Sequence, residues 1–306
     1  MRVSMVTPCF NAARFIRETL GSVLHQEFDH IEYVVVDGGS TDGTAEIIQS
    51  QSDSLAWWVS EPDEGQASAL NKGFARSTGD VLGFINGDDV LMPGAIRAVA
   101  QAFAAHPEVE IIYGGVEWID ASGASLGRHT GEISSLTDIL DIYRVWWGRR
   151  QWVQPEVFFR RQLWERIGVF DTQYHLAFDF DYWVRCFVAG ACALQIPQCL
   201  VRFRLHENQK STASRQAAAE IRQIVKRALD AEMVIPRAFR RRLGAQLSYD
   251  LYQSNDAGAA QRQKSFGRAL LQHPEWLLYA PEARERLRAA CVGRWLSASK
   301  GTTRDP

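Results

Sequence analysis

Two adjacent carboxylates, Asp88 and Asp89, follow an apolar run in the segment GFINGDDVLMPG (83–94). Pro93 favours the first position of the helix predicted to follow, so a capping residue near Met92 leaves both carboxylates outside the cap. The two negative charges repel each other, and a bound cation or a hydrogen-bonded ligand would offset that cost. Carboxylate oxygens are the ligands that Mg²⁺ and Mn²⁺ prefer when those ions also bind substrate phosphates. The pair therefore predicts a divalent-metal site that phosphate oxygens complete.

A third carboxylate, Asp179, lies in the segment FDFDYWVR (178–185). Asp181 and Arg185 are four residues apart on a predicted helix and can form a structural ion pair, which leaves Asp179 without a local basic partner. The two flanking phenylalanines would desolvate Asp179 and raise its pKa, as suits a general base. From spacing alone, a helix N-cap is an equally good interpretation.

Asp37 ends another apolar run and precedes two glycines in the segment DGGSTD (37–42). Glycines let a flat ring or a ribose approach the backbone closely, so a ligand contact is favoured for Asp37, with turn chemistry as the alternative. Further side chains that can hydrogen-bond a nucleotide or a phosphate are Thr7, Asn11, Asn71 and Lys72. The lysine of this set equally suits a surface charge on its helix.

His206 follows an apparent strand, where it could contact a metal or a diphosphate, although a lone histidine is more often a structural residue. Three tryptophans, at 146, 147 and 152, could form a wall on which a sugar stacks. Aromatic clusters more often belong to a core, and that interpretation is favoured here.

Composition and charge limit the classes of protein to which the chain can belong. The chain has 306 residues, of which 46% are hydrophobic, enough for a substantial core. Five cysteines without C-x-x-C spacing fit a reducing compartment, and we expect neither a signal peptide nor a membrane span. From Arg215 onward there are 17 basic against 9 acidic residues. This basic tail favours anionic lipid or a phosphorylated acceptor, or else consists of ordinary solvated helix faces.

Two phosphate-binding motifs fit the sequence poorly. No G-x-G-x-x-G follows the first predicted strand, and GGSTDGT (38–44) lacks the lysine of a P-loop. Dinucleotide-dependent redox chemistry and P-loop nucleotide hydrolysis are therefore weak interpretations.

Short apolar runs alternate with helical patterns over residues 1–115. This order predicts an α/β fold in which a mostly parallel sheet carries helices on both faces. Ligands bind at the carboxyl ends of the strands in such sheets, so four polar segments should converge there: 7–11, 37–42, 61–65 and 86–89. Residues 116–213 form a less regular half that suits acceptor recognition, and residues 214–306 form a helical extension.

Five segments together resemble the family 2 glycosyltransferases of GT-A fold. They are TPCFN (7–11), VVVDGGSTDGT (34–44), NKG (71–73), NGDD (86–89) and FDFDYWVR (178–185). The resemblance covers residues 3 to about 211 and makes residues 1–213 a GT-A domain, with a nucleotide-binding half at 1–115. Two positions depart from the family pattern: Asn86 replaces the first Asp of D-x-D, and Phe178 replaces a Glu that often precedes the catalytic Asp.

The resemblance implies a role for each matching residue. Asp179 is the expected catalytic base, and Asp89 and His206 are the expected ligands of Mg²⁺ or Mn²⁺. The expected nucleotide-binding residues are Thr7, Pro8, Phe10, Asn11, Asp37, Gly38, Asn71, Lys72 and Asp88.

The function that the resemblance implies is transfer of a sugar, with inversion, from a nucleotide-diphospho-sugar to an acceptor hydroxyl. A UDP-sugar is the favoured donor, and a carbohydrate or a lipid-linked molecule is the expected acceptor. The protein is expected in the cytoplasm or at the inner face of the plasma membrane, without nucleic-acid partners, in surface polysaccharide or glycolipid synthesis. The alternatives are a metal-dependent sugar nucleotidyltransferase and a non-catalytic sugar-nucleotide-binding protein.

Overall fold

The computed structural model describes residues 1–207, 209–210, 214–231, 235–254, 266 and 269–288. It divides into two compact units, Met1–Ile224 and Val225–Pro306. The sequence suggested a boundary between residues 213 and 214, whereas the first turns of the helix Ser214–Asp230 belong to the first unit. Glu220 on those turns accepts hydrogen bonds from the backbone N–H groups of Leu176 and Ala177, at 2.8 and 2.9 Å.

The elements alternate as the sequence predicts in the first 115 residues. The strands are β1 (Val3–Cys9), β2 (Ile31–Asp37), β3 (Trp57–Ser60), β4 (Val81–Phe84), β5 (Val90–Leu91), β6 (Ile111–Ile119), β7 (Ser125–Thr130), β8 (Val157–Arg160) and β9 (Ala193–Arg204). The helices are α1 (Ile16–Leu24), α2 (Thr44–Gln49), α3 (Gln66–Arg76), α4 (Ala95–Ala105), α5 (Leu136–Leu140), α6 (Arg161–Ile167), α7 (Phe178–Val188), α8 (Ser214–Asp230), α9 (Arg237–Ser254) and α10 (Trp276–Tyr279). Single 3₁₀ turns occupy Ser52–Ser54 and Gln154–Glu156.

One mixed sheet forms the centre of the first unit, in the order β3-β2-β1-β4-β8-β6-β9-β5, with β7 paired to β6. The α/β fold is confirmed. The first four strands are parallel, as predicted, and β6 and β9 are also parallel. The remaining pairings are antiparallel: β6 and β7 form a hairpin, β8 lies between β4 and β6, and β5 pairs with β9.

Strand β1 lies near the middle of the sheet, and all seven of its residues are buried. A strand that is covered on both faces has mostly apolar residues at successive positions. This explains why polar and apolar residues do not alternate in β1. Registered pairing places Cys9 at the end of β1 beside Asp37, and Asp37 beside Ser60 of β3. The polar residues that follow these strands therefore start from one edge of the sheet.

The helix after the acidic pair begins at Ala95, two residues beyond the predicted start at Pro93. Gly94 precedes it with φ 76°, a left-handed conformation that favours glycine. Both carboxylates still lie outside the cap, as predicted.

Two glycine-to-alanine substitutions should have opposite effects on stability. A Cβ atom at Gly83 in β4 would lie 2.5 Å from the Phe158 ring and 2.9 Å from Met5 Sδ, so alanine there should cost about 1–3 kcal/mol of unfolding free energy. At Gly21 in α1 the nearest atom is 3.5 Å away, in His25, so alanine should stabilise by about 0.5–1 kcal/mol. Urea denaturation of both variants provides the measurement, and equal effects would contradict the packing described here.

The second unit has a small aromatic core. Tyr249 and Tyr252 of α9 pack against Trp276, with ring centroids 5.2 and 5.3 Å apart, and Phe266 is buried in the same cluster. No helix in the described parts of the chain is both long enough and apolar enough to cross a bilayer.

Candidate active site

The acidic pair lies in the turn between β4 and β5, and the pairing of β5 with β9 brings Arg204 beside it. The Arg204 backbone N–H donates to Asp89 Oδ1 at 2.9 Å, and Asn86 Nδ2 donates to Asp89 Oδ2 at 3.0 Å. Arg204 Nε also donates to the backbone oxygen of Asp88 at 2.8 Å. Both carboxylate oxygens of Asp89 are therefore hydrogen-bonded within the protein.

Asp89 is only 1% exposed. Burial and the neighbouring Asp88 charge raise the pKa of Asp89 well above its usual range, although hydrogen bonds from Arg204 and Asn86 oppose them. Its backbone oxygen also accepts a hydrogen bond from Thr19 on α1 at 2.7 Å. Asp89 thus ties the turn to β9 and α1.

Asp88 points to a different partner. Its Oδ2 lies 2.9 Å from His206 Nε2, a contact between residues 118 positions apart in the chain. The Asp88 and His206 side chains are 27% and 14% exposed, so both remain accessible. Phe15 packs against the imidazole, with ring centroids 5.0 Å apart, and holds the histidine over the turn.

Asp88 and His206 are more accessible to a divalent cation than Asp89 is. They present a carboxylate oxygen and an imidazole nitrogen, donors that Mn²⁺ accepts in place of the hydrogen bond between them, whereas Asp89 is buried and accepts hydrogen bonds at both oxygens. Among the described residues no group of three or more His, Cys, Asp or Glu side chains could hold a metal. A cation here would therefore need oxygens from a ligand. The sequence assigned the metal to Asp89 and His206, while the structure brings His206 to Asp88.

The four polar segments predicted to converge are in contact. The backbone N–H of Glu61 donates to the backbone oxygen of Asp37 at 3.0 Å, which joins the segments after β2 and β3. The backbone N–H of Gly38 donates to the Cys9 oxygen at 2.9 Å, and a Cβ at Gly87 would lie 2.8 Å from Cys9 Cβ. The acidic turn therefore lies against the end of β1 in the same crevice.

Asp37 is fully buried, and both of its oxygens accept hydrogen bonds. Ser40 donates through its backbone N–H at 3.0 Å and through its hydroxyl, in addition to the bond from Ser60. The turn chemistry that the sequence left as the alternative is therefore present at Asp37. Its predicted contact with a nucleotide stays a prediction.

The predicted residues of the first polar segment differ in exposure. Thr7 and Pro8 are buried, and Thr7 Oγ1 bonds the Tyr33 hydroxyl at 2.8 Å. Phe10 is 65% exposed, which leaves its ring free to stack on a base. Asn11 has φ 49° and accepts a hydrogen bond from the Thr41 N–H at 3.0 Å, so its side chain stabilises the turn after β2.

Two predicted nucleotide contacts on α3 have protein partners. Asn71 Nδ2 donates to the Phe170 oxygen and its Oδ1 accepts from the Phe170 N–H, both at 2.9 Å. Lys72 forms an ion pair with Glu61, 2.6 Å apart. Asn71 thus holds the loop before α7, and the ion pair of Lys72 fits the surface charge that the sequence left as an alternative. The nucleotide contacts of both residues stay predictions.

Asp179 lies in the first turn of α7. The helix begins after Ala177, so Asp179 is not its N-cap, and Asp181 pairs with Arg185 at 2.8 Å as predicted. Burial raises the pKa of Asp179 to about 6, while a hydrogen bond from Gln154 and the positive charge of Lys210 oppose that rise. Such a carboxylate is ionised at neutral pH yet basic enough to accept a proton.

Three amide side chains, of which the sequence reasoning missed Gln66 and Gln154, connect Asp179 with the acidic turn. Gln66 Nε2 donates to Asn86 Oδ1 at 2.7 Å and to Gln154 Oε1 at 3.2 Å, Asn86 donates to Asp89, and the Gln154 side chain stabilises the carboxylate form of Asp179. Gln66 is the first residue of α3, directly after the polar segment 61–65, and that position was the only signal in the sequence.

The three tryptophans do not form one wall. Trp152 is buried against Tyr113, as expected for a core residue. Trp146 is half-buried and packs against Phe180 with centroids 4.8 Å apart, and Trp147 is 43% exposed and stacks on Tyr143. The core interpretation holds for Trp152.

Comparison with known proteins identifies the family of this chain. The model of the Glycosyl transferase family 2 matches residues 4–182, more than half of the chain. A PGL/p-HBAD biosynthesis glycosyltransferase of Mycobacterium bovis is 29% identical over 188 residues, which cover 60% of this chain and 69% of that protein. The chain spans between 35% and 66% of the length of the first five curated relatives it matches.

Two solved structures share the fold. S. aureus TarS 1–349 in complex with UDP-GlcNAc has a TM-score of 0.64 at 15% identity, over 87% of this chain and 79% of that one. The mannosyltransferase PcManGT from Pyrobaculum calidifontis, in complex with GDP-Man and Mn²⁺, has a TM-score of 0.60 at 21% identity, over 95% of this chain and 86% of that one. The chain belongs to the Glycosyl transferase family 2.

Proposed function

We propose that this protein transfers a sugar from a nucleotide-diphospho-sugar to an acceptor hydroxyl, with inversion at the anomeric carbon. A single observation carries the proposal. The turn that carries the accessible Asp88–His206 pair is connected through Gln66 and its amide partners with the buried Asp179, whose pKa is raised. A cation site for a diphosphate beside a general base is what a one-step displacement requires.

The donor would bind along the carboxyl ends of β1, β2 and β4. Support comes from the exposed ring of Phe10 and from the two related structures, whose complexes contain UDP-GlcNAc and GDP-Man. A UDP-sugar is the first donor to test. Asp88 and His206 would hold Mg²⁺ or Mn²⁺ together with the diphosphate oxygens, and a bound cation there would neutralise negative charge on the leaving diphosphate.

Asp179 would act as the general base. Its carboxylate takes the proton from the acceptor hydroxyl as that oxygen attacks the anomeric carbon, and the bond from that carbon to the diphosphate oxygen breaks. General-base catalysis is typically worth ~10²–10⁴-fold in rate. Because attack and departure occur on opposite faces of one carbon, the configuration inverts.

The acceptor would be a carbohydrate or a lipid-linked molecule, in surface polysaccharide or glycolipid synthesis. The relative from Mycobacterium bovis, named for PGL/p-HBAD biosynthesis, supports that class. The proposed location is the cytoplasm or the inner face of the plasma membrane, where the basic residues after Arg215 would favour anionic lipid.

The function is tested by incubating the protein with a panel of nucleotide sugars, with and without Mn²⁺, and analysing the products. Release of a nucleoside diphosphate, faster with an acceptor glycan present, is the expected result. Release of pyrophosphate would instead identify a nucleotidyltransferase. Donor binding without turnover across the acceptor panel would identify a non-catalytic sugar-nucleotide-binding protein.

The transfer rate should depend on pH through Asp179. The carboxylate form is the active base, and burial raises its pKa to about 6, so kcat/KM should rise about tenfold per pH unit below that value and level off above pH 7. Initial rates at donor and acceptor concentrations well below KM, between pH 4.5 and 8.5, provide the measurement. A profile that is flat below pH 6 would argue against Asp179 as the base.

A further inference from the structure

One side chain touches both halves of the crevice. Gln66 has a single amide nitrogen with two hydrogens, and these go to Asn86 Oδ1 at 2.7 Å and Gln154 Oε1 at 3.2 Å. Asn86 Nδ2 passes a hydrogen bond onward to Asp89 Oδ2 at 3.0 Å, and the Gln154 side chain stabilises the carboxylate form of Asp179 and lowers its pKa. Gln66 therefore connects one acidic side chain with the other through these two amides.

We propose that Gln66 is a positioning residue that fixes the orientation of the Asn86 and Gln154 amides, so that each presents its N–H group to an acidic side chain of the site. The inference rests on the proposed function, since it gives Asp179 the role of base. An amide can rotate and exchange its oxygen for its nitrogen, and a donor that bonds the oxygen selects the same orientation as a carboxylate that accepts from the nitrogen. Gln66 supplies that donor to both amides.

The orientation of Gln154 matters because it decides which form of Asp179 is favoured. A donated N–H stabilises the carboxylate, the form that accepts a proton, whereas an amide oxygen turned toward Asp179 would favour the protonated, inactive form. The charged group that faces Asp179 is Lys210, whose ammonium also interacts with Asp63 and Glu220. Lys210 acts on the charge of Asp179 but does not select the orientation of Gln154.

The same arrangement explains why an asparagine suits position 86 better than an aspartate. A carboxylate at position 86 could not donate to Asp89 Oδ2 and would bring a second negative charge against a buried one. An amide accepts from Gln66 and donates to Asp89, so it satisfies both neighbours. The departure from D-x-D at this position therefore fits the chain of amides that begins at Gln66.

The test is a titration of Asp179 that needs no ligand. The protein is labelled with ¹³C at the aspartate side-chain carboxyl carbons, and the Asp179 signal is assigned by its absence from Asp179→Asn. Gln154→Met should raise the titration midpoint of Asp179 by about one pH unit, because a hydrogen bond to a charged group is lost. Gln66→Met should raise it in the same direction, while Gln101→Met, at an exposed position on α4, should leave it unchanged.

The double variant Gln66→Met with Gln154→Met separates positioning from packing. If Gln66 acts through Gln154, the double variant shifts the midpoint no further than Gln154→Met alone, whereas independent effects add. Additive shifts, or an unchanged midpoint in Gln66→Met, would overturn the inference. Methionine keeps the length of glutamine, and Gln66→Leu replaces it if the first variant does not fold. If the wild-type protein releases no nucleoside diphosphate from any donor, the proposed function is refuted. The titration of Asp179 still tests the role of Gln66 independently.

Discussion

Asp179→Asn should bind donor with near wild-type affinity and transfer almost no sugar, with a rate loss of ~10²–10⁴-fold. The amide keeps the size of the side chain but cannot accept the proton from the acceptor hydroxyl, so the loss should fall on kcat. The measurement combines single-turnover transfer with calorimetric donor binding. Asp181→Asn is the matched control, because Asp181 lies on the same helix and pairs with Arg185.

The same variant should be more stable than the wild type at neutral pH. Burial raises the pKa of Asp179 from an ordinary 3.8 to about 6, so the folded state holds the proton more tightly than the unfolded state. Stability therefore falls as pH rises through that window, and the full cost of about 3 kcal/mol applies above it, at 1.36 kcal/mol per pH unit. Asparagine removes that cost. Denaturation of Asp179→Asn and of the wild type should show a higher free energy of unfolding for the variant at pH 8 and no difference at pH 4. Transfer by Asp179→Asn at the wild-type rate would overturn the assignment of Asp179 as the base.

Asp88→Asn should remove the dependence of donor binding on Mn²⁺. Asp88 and His206 are the proposed metal ligands, with Oδ2 and Nε2 2.9 Å apart, and an amide oxygen is a much poorer ligand for a divalent cation than a carboxylate. Donor affinity with Mn²⁺ should fall at least ~10-fold, while the weaker affinity without metal stays the same. Titration calorimetry with UDP, in the presence of Mn²⁺ or EDTA, provides the measurement.

Two further variants decide between the competing metal assignments. Asp53→Asn, at an exposed position remote from the crevice loops, should bind UDP and Mn²⁺ like the wild type. Asp89→Asn should lower stability, because it replaces an acceptor of two hydrogen bonds by a group that can accept at only one oxygen. If a folded Asp89→Asn protein loses the Mn²⁺ dependence of UDP binding and Asp88→Asn keeps it, Asp89 is the metal ligand.

The alternation of elements in residues 1–115 and the edge at which their polar loops meet were predictable from the sequence. Parallel strands have their carboxyl ends on one side, so the order of apolar runs was enough to predict that residues 37–42 and 86–89 share a crevice. The Asp181–Arg185 pair was equally predictable, because a spacing of four on a helix is a local property. The antiparallel position of β8 between β4 and β6 was not predictable, since strand order depends on pairing between distant segments.

Side-chain roles inside the crevice were harder to predict. Thr7 and Asp37 lie on strands buried on both faces, where no alternation tells which side chain points to the ligand. Both have protein partners, as does Asn71, whose contact with Phe170 spans 99 residues. Hydrogen-bond partners so far apart in sequence leave no local pattern.

The sequence by itself determined the kind of chemistry available here: carboxylates at strand ends, an acidic pair outside any cap, and an aspartate opening a helix between two phenylalanines. The tertiary structure decided how the acidic side chains are used. Pairing of β5 with β9 buries Asp89 and brings His206 to Asp88, and Gln66 connects that turn with the carboxylate of Asp179. Desolvation and long-range hydrogen bonds set these roles, and both arise only when distant parts of the chain pack together.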